Sequence, residues 1–355
     1  MALHNNSETG PEKVLPSVCP LDCPDTCSLN VTVVDNRVVK VRGSKANPFT
    51  AGSICSKVAK SYPEFVHGEN RLRYPLLRVG AKGEGKFERI SWDEALDRIH
   101  LGITESVKQF GAESVVPFNY SGPHGKLAGG SMDRRFFHKL GASQLNRGAL
   151  CAGTQDLAFT SLYGDVPGMP PEDAEHSALI VVWGVNVTVS NLHMQRVIQR
   201  ARKRGAILVV VDPKRIKVAE QADLHLAIRP GTDVLLAMGV AAELERRGAI
   251  DKAFNQKWSI GLEAYLGRAR GYDLNFVADT CGITRDELDR FVDWYATLSP
   301  ASMMVGVAVE RTRNGGSGVR AAAALPALAG KFGVRGGGLI FGISSAFPFA
   351  GDRLQ

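Results

Sequence analysis

The chain predicts an α/β protein: a small, cysteine-bearing, β-rich module at the N-terminus, followed by doubly wound α/β layers. Three observations predict this. Four of the six cysteines fall between Cys19 and Cys55, around a valine-rich alternating passage. Beyond about residue 150, short apolar runs alternate with helical segments, the pattern of strand–helix–strand units. The carboxyl ends of those runs carry glycine, asparagine and aspartate, at the place where open parallel sheets bind ligands.

The clustered cysteines, Cys19, Cys23, Cys27 and Cys55, are spaced C-x3-C-x3-C-x27-C. Three thiolates on one tight loop and a fourth from a distant loop suit a [4Fe-4S] cluster. Structural zinc, which prefers paired knuckles of similar size, and disulfides, which need an oxidising compartment, are the alternatives; the triplet-plus-one spacing favours the cluster. Residues Val31 to Val41 alternate β-branched and polar side chains about Asp35-Asn36, a hairpin that returns Cys55 to the triplet. Lys57, two residues further, reads as a solvated charge or, beside a thiolate-bound cluster, as a cation that offsets its charge and links it to a second redox group.

A chain of 355 residues exceeds what one hydrophobic core usually supports, so two or three domains are expected. With 44% hydrophobic and 22% charged residues, the composition is that of an ordinary globular protein. The net charge of +7 comes without a run of five or more like charges or a basic stripe with interleaved aromatics, which fits an anionic small ligand and argues against nucleic acid. No eighteen-residue apolar stretch exists, so no direct membrane insertion is expected. The first eighteen residues include Glu8, Pro11, Glu12 and Pro16 and lack an apolar export segment or an arginine pair, which predicts a cytoplasmic protein.

In order, residues 1 to about 16 are polar and expected to fray. Residues 17–58 form the cysteine module, and Asn70 to Arg78 cross in extended form because Pro75 forbids helix at Tyr74. After a Gly/Lys turn at 80–86, Ser91-Trp-Asp-Glu94 is a capping box opening a helix whose apolar stripe is Ala95, Ile99, Ile103 and Val107. Val115 to Tyr120 predicts a strand, Ser121 to Gly130 a Gly-rich loop, and Met132 to Leu140 a helix stopped by Gly141. Ala178 to Trp183 is an apolar run suited to a central parallel strand. A helix around His193–Arg204, a strand at Ala206–Val211 ending on Asp212-Pro213, and a strand at Leu224–Ile228 follow. A helix at 234–247 leads into a helical insertion that reaches about 298, with a second capping box at Thr284–Glu287. Ala301 to Val307 restores the strand pattern before a helix at 318–330.

The strand ends carry Gly184-x-Asn186, Asp212, Gly231-Thr-Asp233 and Asn314-Gly315. Singly, Asp212 reads as a turn cap and the glycines as positive-φ positions; their shared placement marks a ligand face. No G-x-G-x-x-G lies between a strand and a helix, which disfavours a nicotinamide or flavin dinucleotide.

Together, the cysteine module with Cys55-Ser-Lys57, R-L-x-x-P-L-x-R at Arg71–Arg78, S-W-D-E-A at Ser91–Ala95, W-G-x-N at Trp183–Asn186, V-V-D-P-K-R at Val210–Arg215 and A-D-L-H-L-x-I-R-P-G-T-D at Ala222–Asp233 resemble the molybdopterin oxidoreductase family over almost the whole chain. The resemblance implies Rossmann-like α/β layers of the formate dehydrogenase/DMSO reductase type. It also implies a bis-molybdopterin guanine dinucleotide cofactor with Mo or W, two-electron redox of a small-molecule substrate at the metal, and electrons passing through the [4Fe-4S] cluster to an iron–sulfur partner subunit. Lys57 matches the family lysine between cluster and pterin. Trp183, Gly184, Asn186, Asp212, Pro213, Gly231, Thr232, Asp233, Asn314 and Gly315 match the region that holds the dinucleotide. The implied domains are 1–58 for the cluster, 59–150 plus 330–355 for an incomplete α/β domain, and 151–329 for the dinucleotide.

The family's protein ligand to the metal falls at Asn146–Gln155, which makes Cys151 the candidate, since a soft thiolate suits a sulfur-rich Mo or W centre. Cys281 reads as a buried hydrophobe. Two departures bear on substrate and extent. Formate dehydrogenases of the family follow this ligand with histidine where this chain has Ala152, against a formate assignment, and Arg320, near their arginine, decides little. His124, His138 and His193 read as structural. Family members continue into a C-terminal barrel, whereas this chain stops at Gln355, so a truncated subunit, or one completed by another polypeptide, is expected. The alternatives are an electron-transfer or structural iron–sulfur subunit that has lost the pterin, and a non-functional fragment.

Overall fold

A computed structural model describes residues 10–21, 23–118, 132–144, 151–164 and 168–341. These fall into two compact units. One takes described residues 10–21 and 26–144, the other 23–25 and 151–341.

The first unit opens with β1 (Lys13–Val18), β2 (Ser28–Val34) and β3 (Arg37–Gly43), an antiparallel sheet in the order β1-β2-β3. Between β2 and β3, Asp35 and Asn36 have φ of 49° and 58°, the left-handed pair that a tight hairpin turn requires. β1 was not expected. All six of its residues are exposed, so the ladder from Lys13↔Val33 to Val18↔Ser28 holds it through backbone bonds alone. Pro16 is tolerated there because β1 is an edge strand. Helix α1 (Ser56–His67) places Val58 against Leu29 and Val41 to close a small core.

Further on, β4 (Leu76–Arg78) and β5 (Phe87–Arg89) pair antiparallel across the Gly/Lys turn. At the start of α2 (Trp92–Phe110), Ser91 Oγ accepts from Glu94 N–H at 3.0 Å, but the reciprocal half of the expected capping box is missing. The Glu94 carboxylate pairs with Arg98 instead, at 3.0 Å. The apolar stripe of α2 has no buried member. The expected strand is absent from Val115 to Phe118, where Pro117 lacks an N–H and Val115 O accepts from Ser143 N–H. Asn119 to Gly130, including His124, lie outside the described residues. Helix α3 (Met132–Leu140) ends at Gly141, φ 78°, as expected.

The second unit contains α4 (Gly153–Tyr163), β6 (Leu179–Trp183), α5 (Val187–Ser190), α6 (Leu192–Lys203), β7 (Ile207–Val211), β8 (Leu224–Leu226), α7 (Asp233–Arg246), α8 (Lys252–Trp258), α9 (Leu262–Ala269), α10 (Leu274–Cys281), α11 (Arg285–Thr297), β9 (Ala301–Val305), α12 (Gly315–Leu328) and β10 (Gly338–Ile340). Its sheet is parallel, in the order β10-β9-β6-β7-β8. Every residue of β6 is buried, as its unbroken apolar run requires of a strand covered on both faces. The chain runs from β6 to β7 and β8 on one side, then returns as β9 on the other, so the order reverses between β6 and β9. Residues 338–340 pair with Ser302–Met304, which moves 330–341 from the expected company of 59–150 into this sheet. Residues 342–355 lie outside the described set.

The helical insertion packs by close approach. A Cβ on Gly239 of α7 would come within 2.9 Å of Val277 of α10. Thr284 and Glu287 form both halves of the expected capping box. Glu243, 5% exposed on α7, pairs with Arg246 and Arg247, and Arg247 reaches Asp289 and Asp293. The Arg246 hydrogen bond, ahead of a smaller burial penalty, holds the Glu243 carboxyl down at about 2. A lowered folded-state value means that the stabilisation is present above the ordinary glutamate range and lost as pH falls toward about 2. Glu243→Gln is therefore expected to cost about 2 kcal/mol at neutral pH, discounted for the exposed Arg246, and almost nothing in strong acid. Urea unfolding at the two pH values checks this.

Candidate cofactor site

The loops that leave β6 and β9 meet at the point where the strand order reverses. Gly306 N–H donates to Trp183 O at 2.8 Å, and a Cβ on Gly306 would stand 2.3 Å from Gly184 O. Gly184, φ 64°, is tight as well, since a Cβ there would fall 2.8 Å from Val309. Larger residues at either position would push the two loops apart. Asn186 Oδ1 accepts from Thr188, and its carbonyl starts the single turn of α5. Asp212, at the end of β7, accepts from Lys214 N–H through Oδ1 at 2.8 Å, the turn-capping role available to any such aspartate, with Pro213 exposed beside it. After β8, Gly231 has φ 87° and Thr232 Oγ1 donates to Arg229 O.

Two fourteen-residue helices start at this end of the sheet, α7 after Thr232 and α12 after Asn314. Neither N-terminus has a side-chain cap. The first turn of α12 is Gly315-Gly316-Ser317-Gly318; Gly315 packs on the Glu310 backbone, and Gly316 is only half-buried. Glycine loops and uncapped helix starts give backbone N–H groups and a positive dipole end, which suit pyrophosphate.

Two residues of the expected dinucleotide region, Trp183 and Asp233, are buried. Trp183 is fully buried, and its indole N–H donates to Asp233 Oδ1 at 2.7 Å; Asp233 is itself only 8% exposed. The pair is joined beneath the Gly184 and Gly231 loops. Burial also pushes the Asp233 carboxyl above its ordinary value, against the lowering effect of the Trp183 bond. With a raised folded-state value, stability is full below the ordinary carboxylate range and falls as pH rises through the shifted one. Asp233→Asn is expected to flatten that slope while Oδ1 still accepts from Trp183. Equal pH dependence of unfolding in both proteins would contradict this.

Cys151 is exposed and precedes α4. Ala152, the N-cap, has φ 69°, left-handed and strained for a non-glycine residue. Asn146 to Leu150 lie outside the described residues. The turn is held by Glu310, from the loop after β9, whose Oε1 accepts from Ala152 N–H at 2.5 Å and Oε2 from Gln155 N–H at 2.7 Å. Gln155 is 2% exposed and donates through Nε2 to Val305 O, the last residue of β9, at 2.7 Å. Cys151 is thus tied to the carboxyl end of the sheet. Cys281 is fully buried, with Sγ 3.8 Å from Thr232 O, and burial pushes its thiol up, in keeping with a packing role.

In the first unit, Cys27 is buried in the small core, and Cys19 and Cys55 pack against the same core. Cys19 N–H donates to Cys27 O at 2.9 Å. Burial first, then Cys19 and Cys55, pushes the Tyr62 phenol up, so both sulfurs lie near one ring. Cys55 is the N-cap residue of α1 and has no side-chain cap bond; an anionic sulfur there meets the helix's positive end. Lys57 is exposed in the first turn. Among the described residues, no three His, Cys, Asp or Glu side chains stand in metal-holding geometry. The chemistry of the donor set nonetheless fits iron: thiolate donors on a common apolar floor, one of them at a helix start. Cys23 groups with the second unit.

Two carboxylates were missed from sequence. Glu310 is one. The other is Asp25, 5% exposed, whose oxygens accept from Leu192 and His193 N–H at 3.1 and 3.0 Å and so cap α6. His193 is buried, and burial lowers its imidazole more than Asp25 raises it. Each carboxylate bonds residues more than 150 positions away, so no local pattern marks it.

Known proteins are similar to this chain. Residues 12–67 match the family model described as the molybdopterin oxidoreductase Fe4S4 domain, and residues 71–346 match that of molybdopterin oxidoreductase. A Bacillus subtilis (strain 168) protein named as a probable oxidoreductase, YoaE, is 37% identical over 342 residues, 96% of this chain and 50% of its own. Acetylene hydratase of Syntrophotalea acetylenica is 32% identical over 86% of this chain and 42% of its own. Dimethyl sulfoxide reductase DmsA of Escherichia coli (strain K12) is 29% identical over 92% and 44%. The solved structure of acetylene hydratase from Pelobacter acetylenicus superposes with a TM-score of 0.73 at 30% identity, over 90% of this chain and 44% of that one. The chain spans about half the length of the curated relatives it matches. The matched domains indicate a molybdopterin cofactor and a 4Fe-4S cluster. By its fold, its ordered motifs and these matches, the chain belongs to the molybdopterin oxidoreductase family.

Proposed function

We propose that this chain is the N-terminal part of the catalytic subunit of a molybdenum or tungsten oxidoreductase carrying a bis-molybdopterin guanine dinucleotide. The observation that carries the reading is the convergence, at the carboxyl end of one parallel sheet, of the Gly184 and Gly306 loops, the uncapped starts of α7 and α12, and the turn bearing Cys151. In this reading, the Gly231–Asp233 loop and the first turn of α12 face the pyrophosphate, although the N–H groups of Thr232 and Gly315 already donate to Arg229 O and Thr312 O. The Asp212 carboxylate accepts from the guanine N1 and N2 donors, and Asn186 faces the ribose.

Cys151 gives the metal its protein sulfur. Cys19, Cys23, Cys27 and Cys55 hold the cluster, and the Lys57 ammonium offsets its charge. The bound metal supplies two-electron exchange with a small substrate, and the cluster relays electrons singly to an iron–sulfur partner subunit. Among the described residues, no helix is long and apolar enough to cross a membrane. Acid treatment of the protein purified with its cofactor tests the dinucleotide: release of GMP with an oxidised pterin is expected, and pterin without nucleotide would contradict the assignment. The reading of an iron–sulfur subunit without pterin predicts iron alone.

A further inference from the structure

We propose that Glu310 is the positioning residue for Cys151, fixing the direction in which its thiolate is presented; this rests on the reading of Cys151 as the metal ligand. Glu310 is 2% exposed. Its two carboxylate oxygens are spent on two backbone donors of the same turn, Ala152 N–H at 2.5 Å and Gln155 N–H at 2.7 Å, one residue and four residues beyond Cys151. A carboxylate that bridges donors in this way sets both the position and the tilt of the turn, as one hydrogen bond could not.

Two further features give the bridge a reason. Ala152 is left-handed at φ 69°, a conformation that a non-glycine residue keeps only where its surroundings impose it. Glu310 itself comes from the loop after β9, where a Cβ on Gly315 would stand 2.2 Å from Glu310 O and so would displace it. Gln155 adds a second tie to the same strand through Val305 O. The strand end, not the helix that follows it, therefore dictates where Cys151 stands.

Two variants separate reach from charge. Glu310→Gln keeps the shape and replaces one acceptor with a donor; Glu310→Asp keeps the charge but is one methylene too short to bridge. Both are compared with wild type and Cys151→Ala, each purified with its cofactor and checked for an unchanged thermal midpoint. X-ray absorption at the Mo or W edge counts sulfur neighbours, and hydrogen exchange follows the amides of Ala152 and Gln155.

Both Glu310 variants are expected to lose one sulfur from the metal, as Cys151→Ala does, and to exchange those amides about tenfold faster, the scale of a lost charge-assisted hydrogen bond. A wild-type sulfur count and wild-type exchange in either variant would overturn the proposal. An unchanged sulfur count in Cys151→Ala would instead show that Cys151 is not a ligand, and both readings would fall. The exchange data would then still report whether Glu310 holds the turn.

Discussion

Cys151→Ala is expected to abolish substrate turnover, by about a thousandfold or more, while leaving the iron content unchanged. On the proposed role of Cys151, the scale follows from removing a soft anionic ligand from the metal, which alters its charge and geometry together. Cys151→Ser should recover little, because a hard hydroxyl oxygen is a poor substitute for a thiolate in sulfur-rich surroundings. Cys281→Ala is the matched control. That thiol is fully buried beside Thr232, so its loss should cost about 1 kcal/mol of stability and leave kcat within a factor of about two. The pair separates a cysteine that works from one that packs. Equal effects of the two substitutions on kcat would mean that exposure on the turn after residue 150 has no chemical significance.

Cys55→Ser is the second large expected effect. Serine is among the preferred N-cap residues, so the start of α1 should be kept or strengthened by the change. What the variant lacks is a thiolate for iron. Cluster iron should fall to background, and the thermal midpoint of the β1–β3 unit should fall with it, because a resident metal contributes its binding free energy to the fold that holds it. Retention of iron at the wild-type level would remove Cys55 from the ligand set.

The elements legible from sequence are those whose cause is local. β6 could be read because a strand buried on both faces must be apolar throughout, and the β2–β3 hairpin because Asp35-Asn36 tolerates two left-handed residues. The capping box at Thr284 and Glu287 is complete, whereas at Ser91 only half forms because Arg98 competes for Glu94. β1 escaped notice because its exposed side chains leave no pattern and the ladder to β2 is a backbone property. The stripe on α2 has the right spacing, yet it meets no core among the described residues, since periodicity reports an amphipathic face without naming its partner.

At the site, position was legible and direction was not. The Gly184, Asp212 and Gly231 loops stand at the carboxyl end of the sheet, where the strand pattern of the sequence puts them. Yet Trp183 and Asp233, drawn from the same motifs, turn inward to bond each other. Whether a side chain faces the ligand or the core depends on the packing around it, and Glu310 and Asp25 acquire their roles only through partners far along the chain.

The most direct test of the central claim is metal analysis of the anaerobically purified chain, joined with paramagnetic resonance after reduction. The account predicts a brown protein with about four iron atoms per chain, molybdenum or tungsten in addition, and a reduced-cluster signal. A colourless protein without iron, silent on reduction, would contradict it.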